Sequence, residues 1–223
     1  MSLRVMVRRC PDCGGELLGC PGLPWLTCVR CPQAMDPLST PARKITCWRP
    51  REGADIGNGA TRTPEFLLKN PNGRIPTIEL EDGRLLAESN AILWYYAEGT
   101  PFLPEDRWQR AQALQWMCFE QYSHEPYIAV ARAWLHVFGL DEEKKRLLPQ
   151  KQKLGNDALG VMEGHLARRK FFVGERYSIA DIALYAYTHV AHEGGFDLAP
   201  YSALNGWLAR VKSQPRHIPI TQS

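Results

Sequence analysis

Glu88 and Ser89 have side chains and a place in the chain that could bind a ligand. The pattern of apolar residues from Ser89 through Ala97 predicts a helix, so the pair stands where that helix begins. Unpaired backbone N–H groups and the positive end of the helix dipole favour a bound carboxylate at such a position. The pair therefore predicts a site for a small molecule that carries a carboxylate.

The cysteines of the first 47 residues could hold a metal ion. Six of the seven cysteines lie in this stretch, namely Cys10, Cys13, Cys20, Cys28, Cys31 and Cys47. Two CxxC pairs with fourteen residues between them have a spacing similar to that of a zinc ribbon, in which four thiolates close a tetrahedral site. Pro32 stands where the second pair usually has a glycine, which argues against the ribbon. Our primary interpretation therefore includes no metal.

A β-hairpin must precede the helix that begins at Ser89. The runs 75–80 and 84–87 are apolar and β-branched, and Asp82-Gly83 stands between them. Asp-Gly between two such runs is a strong hairpin signal, because the tight turn needs a positive φ. Pro76 opens the first strand, where its missing N–H is tolerated.

These residues carry a resemblance to a known family. The order Asn70-Pro71-Asn72-Gly73, Ile75-Pro76, Glu81-Asp82-Gly83 and Glu88-Ser89-Asn90 is similar to the glutathione-binding half of the bacterial-type cytosolic glutathione S-transferases. The resemblance runs from about Thr61 to the C-terminus, and residues 1–54 do not match. It implies a thioredoxin-like α/β domain, atypical or incomplete in its first half, followed by an all-α helical bundle.

The resemblance also implies roles for individual residues. Pro76 would follow a cis peptide bond, and the backbone of Ile75 would pair with the cysteinyl part of glutathione. Glu88 and Ser89 would hold the γ-glutamyl end. Arg74 stands where some members place a basic residue for the glycyl carboxylate.

Residues 1–54 admit three interpretations, because their composition is rich in Cys, Pro and Arg and shows no sustained period. The first is a stretch read out of frame, and the second is a zinc-binding module formed by Cys10, Cys13, Cys28 and Cys31. The third is a divergent but functional first half of a transferase domain.

The third interpretation supplies candidate catalytic hydroxyls, although the sequence does not identify the catalytic residue. The run that begins Ser39-Thr40-Pro41 is similar to a Ser-x-Pro run at the first helix of several transferases. A hydroxyl there would donate a hydrogen bond to the glutathione sulfur and favour the thiolate over the thiol. Ser39 and Thr40 are therefore the candidates.

A proline-rich segment at 100–104 separates a region with strand and helix signals from a region with helix signals alone. We predict an atypical segment at 1–54, the remainder of the thioredoxin-like domain at 55–100 and an all-helical domain at 105–215. Helical periodicity predicts a long helix from Trp108 to about Phe138, kinked at Pro126. The residues expected to face the core of this helix are Ala111, Leu114, Met117, Cys118 and Tyr122.

Two further signals lie downstream. A helix from about Asp141 to Leu166 should be irregular, because it contains Pro149, Gly155 and Gly160. Ser178 and Asp181 have the spacing of a capping box at the start of the next helix, which is a structural role.

Composition excludes several classes of function. At 223 residues with a formal net charge of +3, the chain is long enough for a substantial core and too weakly charged to argue for nucleic-acid or membrane partners.

The expected function is conjugation of the glutathione thiolate to a small hydrophobic electrophile, with glutathione as co-substrate. The resemblance further implies a cytoplasmic homodimer that acts in detoxification. The alternatives are a non-catalytic interaction protein with a zinc module, and an inactive product of a disrupted reading frame.

Overall fold

A computed structural model of the chain describes residues 59–80, 82–215 and 217, together with the backbone of four short strands before residue 48. The chain forms two compact units, residues 1–100 with 220–223, and residues 101–219. Cys10, Cys13, Cys31, Ser39 and Thr40 lie outside the described residues.

In the part of the first unit that the structure describes, there are two small antiparallel sheets and two helices. One sheet has the order β1-β2-β3 and the other β4-β5-β6. The strands are β1 Val7–Arg9, β2 Glu16–Leu18, β3 Thr27–Cys28, β4 Thr46–Cys47, β5 Thr77–Glu79 and β6 Leu85–Ala87. The helices are α1 Pro64–Lys69 and α2 Ser89–Ala97, preceded by a 3-10 turn at Ala60–Arg62.

Local signals explain these elements. The Thr63 hydroxyl accepts a hydrogen bond of 3.2 Å from the Phe66 N–H, which caps the start of α1. The β5–β6 turn passes through Gly83 at φ 80°, and the register pairs Ile78 with Leu86. Ile78 is buried in a core cluster that also contains Ile92 of α2, so the hairpin and α2 are packed together.

The second unit is helical. Its helices are α3 Arg107–Phe119, α4 Glu125–Arg132, α5 Glu142–Leu166, α6 Ile179–Thr188 and α7 Ser202–Lys212. Two π-helical segments flank α4, Glu120–His124 and Ala133–Phe138, and a 3-10 turn spans Ala191–Gly194. Among the described residues, no helix combines the length and the apolar character that crossing a bilayer requires.

The predicted distortion at Pro126 takes the form of the first π segment. The Glu125 N–H bonds to the carbonyl of Glu120, five residues back. Proline lacks an N–H, and its ring clashes with the carbonyl four residues back, so the wider turn accommodates Pro126.

The predicted core face of the first long helix is wrong at four of its five positions, since Met117 is buried as predicted but Ala111 is exposed. Leu114 and Tyr122 are 51% and 85% exposed, and Cys118 is exposed as well. The buried positions include two polar side chains, Glu120 and His124. The Nε2 of His124 lies 2.8 Å from the Thr188 hydroxyl oxygen, and burial lowers the pKa of His124 to about 3, so the ring is neutral.

The predicted irregularity of α5 is also wrong, because the helix is continuous through Pro149. A Cβ atom at Gly155 would lie 2.6 Å from Phe196 Cζ and 3.2 Å from Ile128 Cγ1. Glycine at this position therefore permits close packing and does not mark a break.

Asp181 joins three segments of the second unit. Together with Ser178 it forms a capping box at the start of α6. The Ser178 N–H and hydroxyl donate to Asp181 Oδ2 at 2.9 and 3.0 Å. The Phe172 N–H and Trp207 Nε1 donate to Asp181 Oδ1 at 3.1 and 2.9 Å. Asp181 is fully buried, and burial raises its pKa to about 6 although these hydrogen bonds lower it.

We expect Asp181 to make the free energy of unfolding fall as pH rises from about 4 to about 6. The native state holds the proton of this carboxyl at pH values where the unfolded chain, with an ordinary pKa of 3.8, has lost it. The difference corresponds to about 3 kcal/mol.

Urea unfolding of the wild type and Asp181→Asn tests this expectation. The stability advantage of the wild type over the variant should shrink between pH 4 and pH 7, because asparagine does not titrate. An advantage that grows with pH would mean that the four donors outweigh burial at this carboxyl.

Candidate functional site

The loop 70–76 is organised by the side chain of Asn70, which is 5% exposed. Its Nδ2 donates to the Arg74 carbonyl at 2.7 Å and to the Thr77 hydroxyl at 3.0 Å. Its Oδ1 accepts from the Asn72 N–H at 3.1 Å, which closes an Asx turn. One side chain therefore fixes the path of the loop that leads into β5.

Gly73 and Arg62 complete the inner face of the loop. Gly73 has φ 63° and is buried, so a residue without a Cβ atom suits the position. The Arg62 guanidinium lies against Gly73 and donates to the Asn72 carbonyl at 3.1 Å. A larger residue at 73 would displace this guanidinium.

The loop and the start of α2 come together at one end of the β5–β6 hairpin. Thr77 pairs with Ala87, so Pro76 and Glu88 are the next residues beyond that end. Asn72 Nδ2 lies 3.3 Å from Glu88 Oε1, which ties the loop directly to the residue before α2.

Glu88 has an unusual backbone conformation for a residue other than glycine, with φ 71° and ψ 120°. Its carbonyl accepts from the Ile92 N–H at 3.0 Å, so its backbone begins α2. Its side chain does not cap the helix and is exposed apart from the contact with Asn72. The first turn of α2 and an outward carboxylate thus lie at one place.

The structure places the five sequence-predicted binding residues in this one region. The Ile75–Pro76 peptide bond is cis, Ile75 is 49% exposed and Arg74 is exposed. Ser89 is half-buried as the first residue of α2, next to the exposed Glu88. Carboxylate, hydroxyl and helix N–H groups together can bind a ligand that carries both an amine and a carboxylate.

Asn70 and Asn72 are site residues that sequence reasoning missed as individual contributors. The signal that could have found them is the spacing of two in Asn70-Pro71-Asn72, which is typical of an Asx turn. As for metals, no group of three or more His, Cys, Asp or Glu side chains suited to an ion occurs among the residues with described side chains.

Comparisons with known proteins agree with these features. Residues 47–98 match the family model for the glutathione S-transferase N-terminal domain, and residues 114–215 match the model for the C-terminal domain. A glutathione S-transferase structure from Pseudomonas fluorescens Pf-5 is 57% identical, with a TM-score of 0.73, and covers 75% of this chain and 84% of that one. These matches confirm the predicted family and the predicted fold class.

A structure solved with ligand is also similar. A glutathione transferase from Burkholderia graminis, with two glutathione molecules bound per subunit, is 28% identical and has a TM-score of 0.62. The match covers 73% of this chain and 72% of that one.

Two curated relatives differ in name from these transferases. Disulfide-bond oxidoreductase YfcG of Escherichia coli K12 is 32% identical over 170 residues, which is 72% of this chain and 77% of that protein. Elongation factor 1-gamma-B of Xenopus laevis is 35% identical over 160 residues, which is 69% of this chain and 36% of that protein. The chain thus spans about a third of the length of the elongation factors it matches.

We expect Asn70→Asp to destabilise the first unit by about 2 kcal/mol or more. The substitution keeps the shape but replaces a double donor by a carboxylate that faces the Arg74 carbonyl and the Thr77 hydroxyl. Urea unfolding monitored by circular dichroism gives the free energy. Asn156→Asp on the exposed face of α5 is the matched control and should change it by less than about 0.5 kcal/mol. Equal effects of the two substitutions would contradict the role assigned to Asn70.

Proposed function

Because the chain belongs to the glutathione S-transferase family, we propose that it conjugates the glutathione thiolate to a small hydrophobic electrophile. The observation that carries the proposal is the meeting of the 70–76 loop with Glu88 and Ser89 at the start of α2. A tripeptide with an amine, carboxylates and a thiol suits the donors and acceptors gathered there. Proteins of similar fold bind glutathione.

Each binding residue has a proposed task. The Ile75 backbone pairs with the cysteinyl part of glutathione, and Pro76 fixes the direction of that backbone. Glu88 accepts from the γ-glutamyl amine, and the Ser89 hydroxyl with the first-turn N–H groups binds the γ-glutamyl carboxylate. Arg74 is exposed and pairs with the glycyl carboxylate.

The reaction needs a thiolate. The sulfur attacks the electrophilic carbon, a C–S bond forms, and either a leaving group departs with the bonding pair or the electrophile takes up a proton. Ser39 or Thr40 is the proposed donor to the sulfur. The helical unit is the proposed holder of the electrophile, with the exposed Tyr122 as a candidate contact. We also propose that the reaction takes place in the cytoplasm, where thiols are kept reduced, and that it serves detoxification.

A second candidate function rests on the similarity to elongation factor 1-gamma. That protein has its matching region within a longer chain, and its name denotes a translation factor. A transferase-like interaction protein without conjugating activity is therefore the alternative. It would bind partners whether or not it retains glutathione.

We further propose a homodimer in which a second copy covers the N-terminal half of α3. Trp108 and Leu114 are 69% and 51% exposed there, and Ala111 between them is also exposed. The helical positions of the three residues put them on one side of α3, and exposed apolar faces of this kind are typical of subunit interfaces.

Titration calorimetry with reduced glutathione tests the binding site. The wild type should bind, and Ser89→Ala and Glu88→Gln should each weaken binding about tenfold, because each loses a charge-assisted hydrogen bond. Glu142→Gln is the matched control, since Glu142 is also exposed at a helix start, and it should leave affinity unchanged. Absence of binding by the wild type would overturn the proposed function. Binding without turnover of any of a panel of aryl halides and enones would favour the interaction-protein alternative.

Sedimentation equilibrium tests the dimer. Leu114→Glu should raise the dimer dissociation constant by about tenfold or more, because it places a charge in the apolar face of α3. Val161→Glu is the control, since Val161 is 53% exposed on α5 and should leave association unchanged. A wild type that stays monomeric throughout, or equal effects of the two variants, would contradict the proposed interface.

A further inference from the structure

A basic cleft lies between the C-terminal end of α5, the loop 167–176 and α7. It consists of two adjoining cavities of about 360 Å³ each, which share the lining residues Arg168, Arg169 and Glu175. Gly164 of α5 lines the first cavity, and Gly206 of α7 lines the second. The cleft shares no residue with the proposed glutathione site.

The charges of the basic cleft are strongly unbalanced. Arg168, Arg169, Lys170 and Arg210 line it, and none of the ion pairs found among the described residues includes any of these four. Glu175 is the acidic residue among those lining the two cavities, and its Oε2 accepts from the Lys170 backbone N–H at 3.1 Å. The first cavity thus presents Arg168, Arg169 and Glu175, and the second adds Lys170 and Arg210. The Glu163 carboxylate accepts from the Ser202 hydroxyl and the Ala203 N–H, two groups of the second cavity, so an anion there meets a second carboxylate nearby.

The pKa of the neighbouring His165 is affected by the positive charge of the cleft. His165 lines the first cavity, and its pKa is lowered by burial first and then by the charge of Arg169. A hydrogen bond to Phe172 and the charge of Glu175 raise the pKa of His165, but each by less than Arg169 lowers it, and a positive field of this kind attracts anions.

The cations are carried on a folded loop. Gly174 and Glu175 have φ 58° and 60°, and these two consecutive left-handed residues reverse the chain. The reversal pairs Val173 with Arg176 and brings the Glu175 carboxylate to the Lys170 N–H. Arg210 Nε donates to the Lys170 carbonyl at 3.0 Å, which joins α7 to the same loop.

Gly164 and Gly206 each line one of the two cavities, and close packing requires a glycine at neither position. Glycine is less favourable than alanine inside a helix. A Cβ atom at Gly164 would have no heavy atom within 4 Å, and one at Gly206 would meet Arg210 Nη1 at 3.3 Å. Each added methyl group would instead take up space beside the cavity.

We propose that the basic cleft binds a small phosphorylated compound. Guanidinium groups match the oxygens of a phosphate in bidentate geometry, and three of the four cations are arginines. Each of the two open cavities has a volume of about 360 Å³, which is enough for a compound that carries one or two phosphate groups.

Calorimetric titration of the full chain with inorganic pyrophosphate at low ionic strength tests the proposal. We expect saturable binding that weakens as salt is added. The double variant R168Q/R169Q should bind about tenfold more weakly or worse, because two of the four cations are lost. Lys153→Gln is the charge control, since Lys153 pairs with Asp157 elsewhere on α5, and it should stay within about twofold of the wild type.

A second pair of variants separates ligand binding from folding. Gly164→Ala should weaken pyrophosphate binding about threefold or more while the thermal midpoint stays level or rises. Gly160→Ala is the matched control, because a Cβ atom there also meets nothing within 4 Å but Gly160 does not line the cleft. It should leave the affinity unchanged with a similar effect on the midpoint.

Three outcomes would overturn the proposal. They are the absence of saturable pyrophosphate binding, equal affinities of Gly164→Ala and Gly160→Ala, and binding of a single-stranded deoxythymidine decamer without binding of pyrophosphate. The last would identify a surface for a polymer and not a site for a small ligand.

Discussion

The helical unit depends on one buried carboxylate. Asp181 accepts four hydrogen bonds from Ser178, Phe172 and Trp207, and a carboxylate has about four lone-pair sites to offer. Loss of any donor would leave part of a fully buried charge unsatisfied, so the three segments hold their positions together. The same hydrogen bonds help to position two cations of the basic cleft. Lys170 is two residues before Phe172, and Arg210 is one turn of α7 after Trp207.

In the first unit, the neutral side chain of Asn70 fixes a loop through hydrogen bonds. The buried side chain of Asn70 must donate twice and accept once to fix its loop, and among side chains of its size the amide alone does both. The loop it fixes carries Asn72, whose contact with Glu88 joins the loop to α2. The position of the proposed ligand-binding carboxylate therefore follows from hydrogen bonds inside the loop and does not rest on the hydrophobic core alone.

Local signals in the sequence predicted local structure well. The Asp82-Gly83 turn and the capping box of Ser178 and Asp181 each depend on a few neighbouring residues, and the structure contains both. The predicted core face of the first long helix was wrong at four of five positions, because helical periodicity does not take account of packing partners on other helices. There His124 is buried with its Nε2 2.8 Å from the hydroxyl oxygen of Thr188 on α6, while its Nδ1 has no hydrogen-bond partner among the described residues. Leu114 stays exposed although it is apolar.

Gly155 and Gly164 of α5 have different surroundings, which the sequence alone does not reveal. Helix propensity treats Gly155 and Gly164 alike and predicts a weak helix at both. In the structure Gly155 admits the ring of Phe196 against the helix backbone, so alanine is excluded by contact. Gly164 faces open space, so alanine would fit and would favour the helix. Packing thus accounts for the first glycine and not for the second, and Gly164 lines the first cavity of the basic cleft together with Arg168 and Arg169.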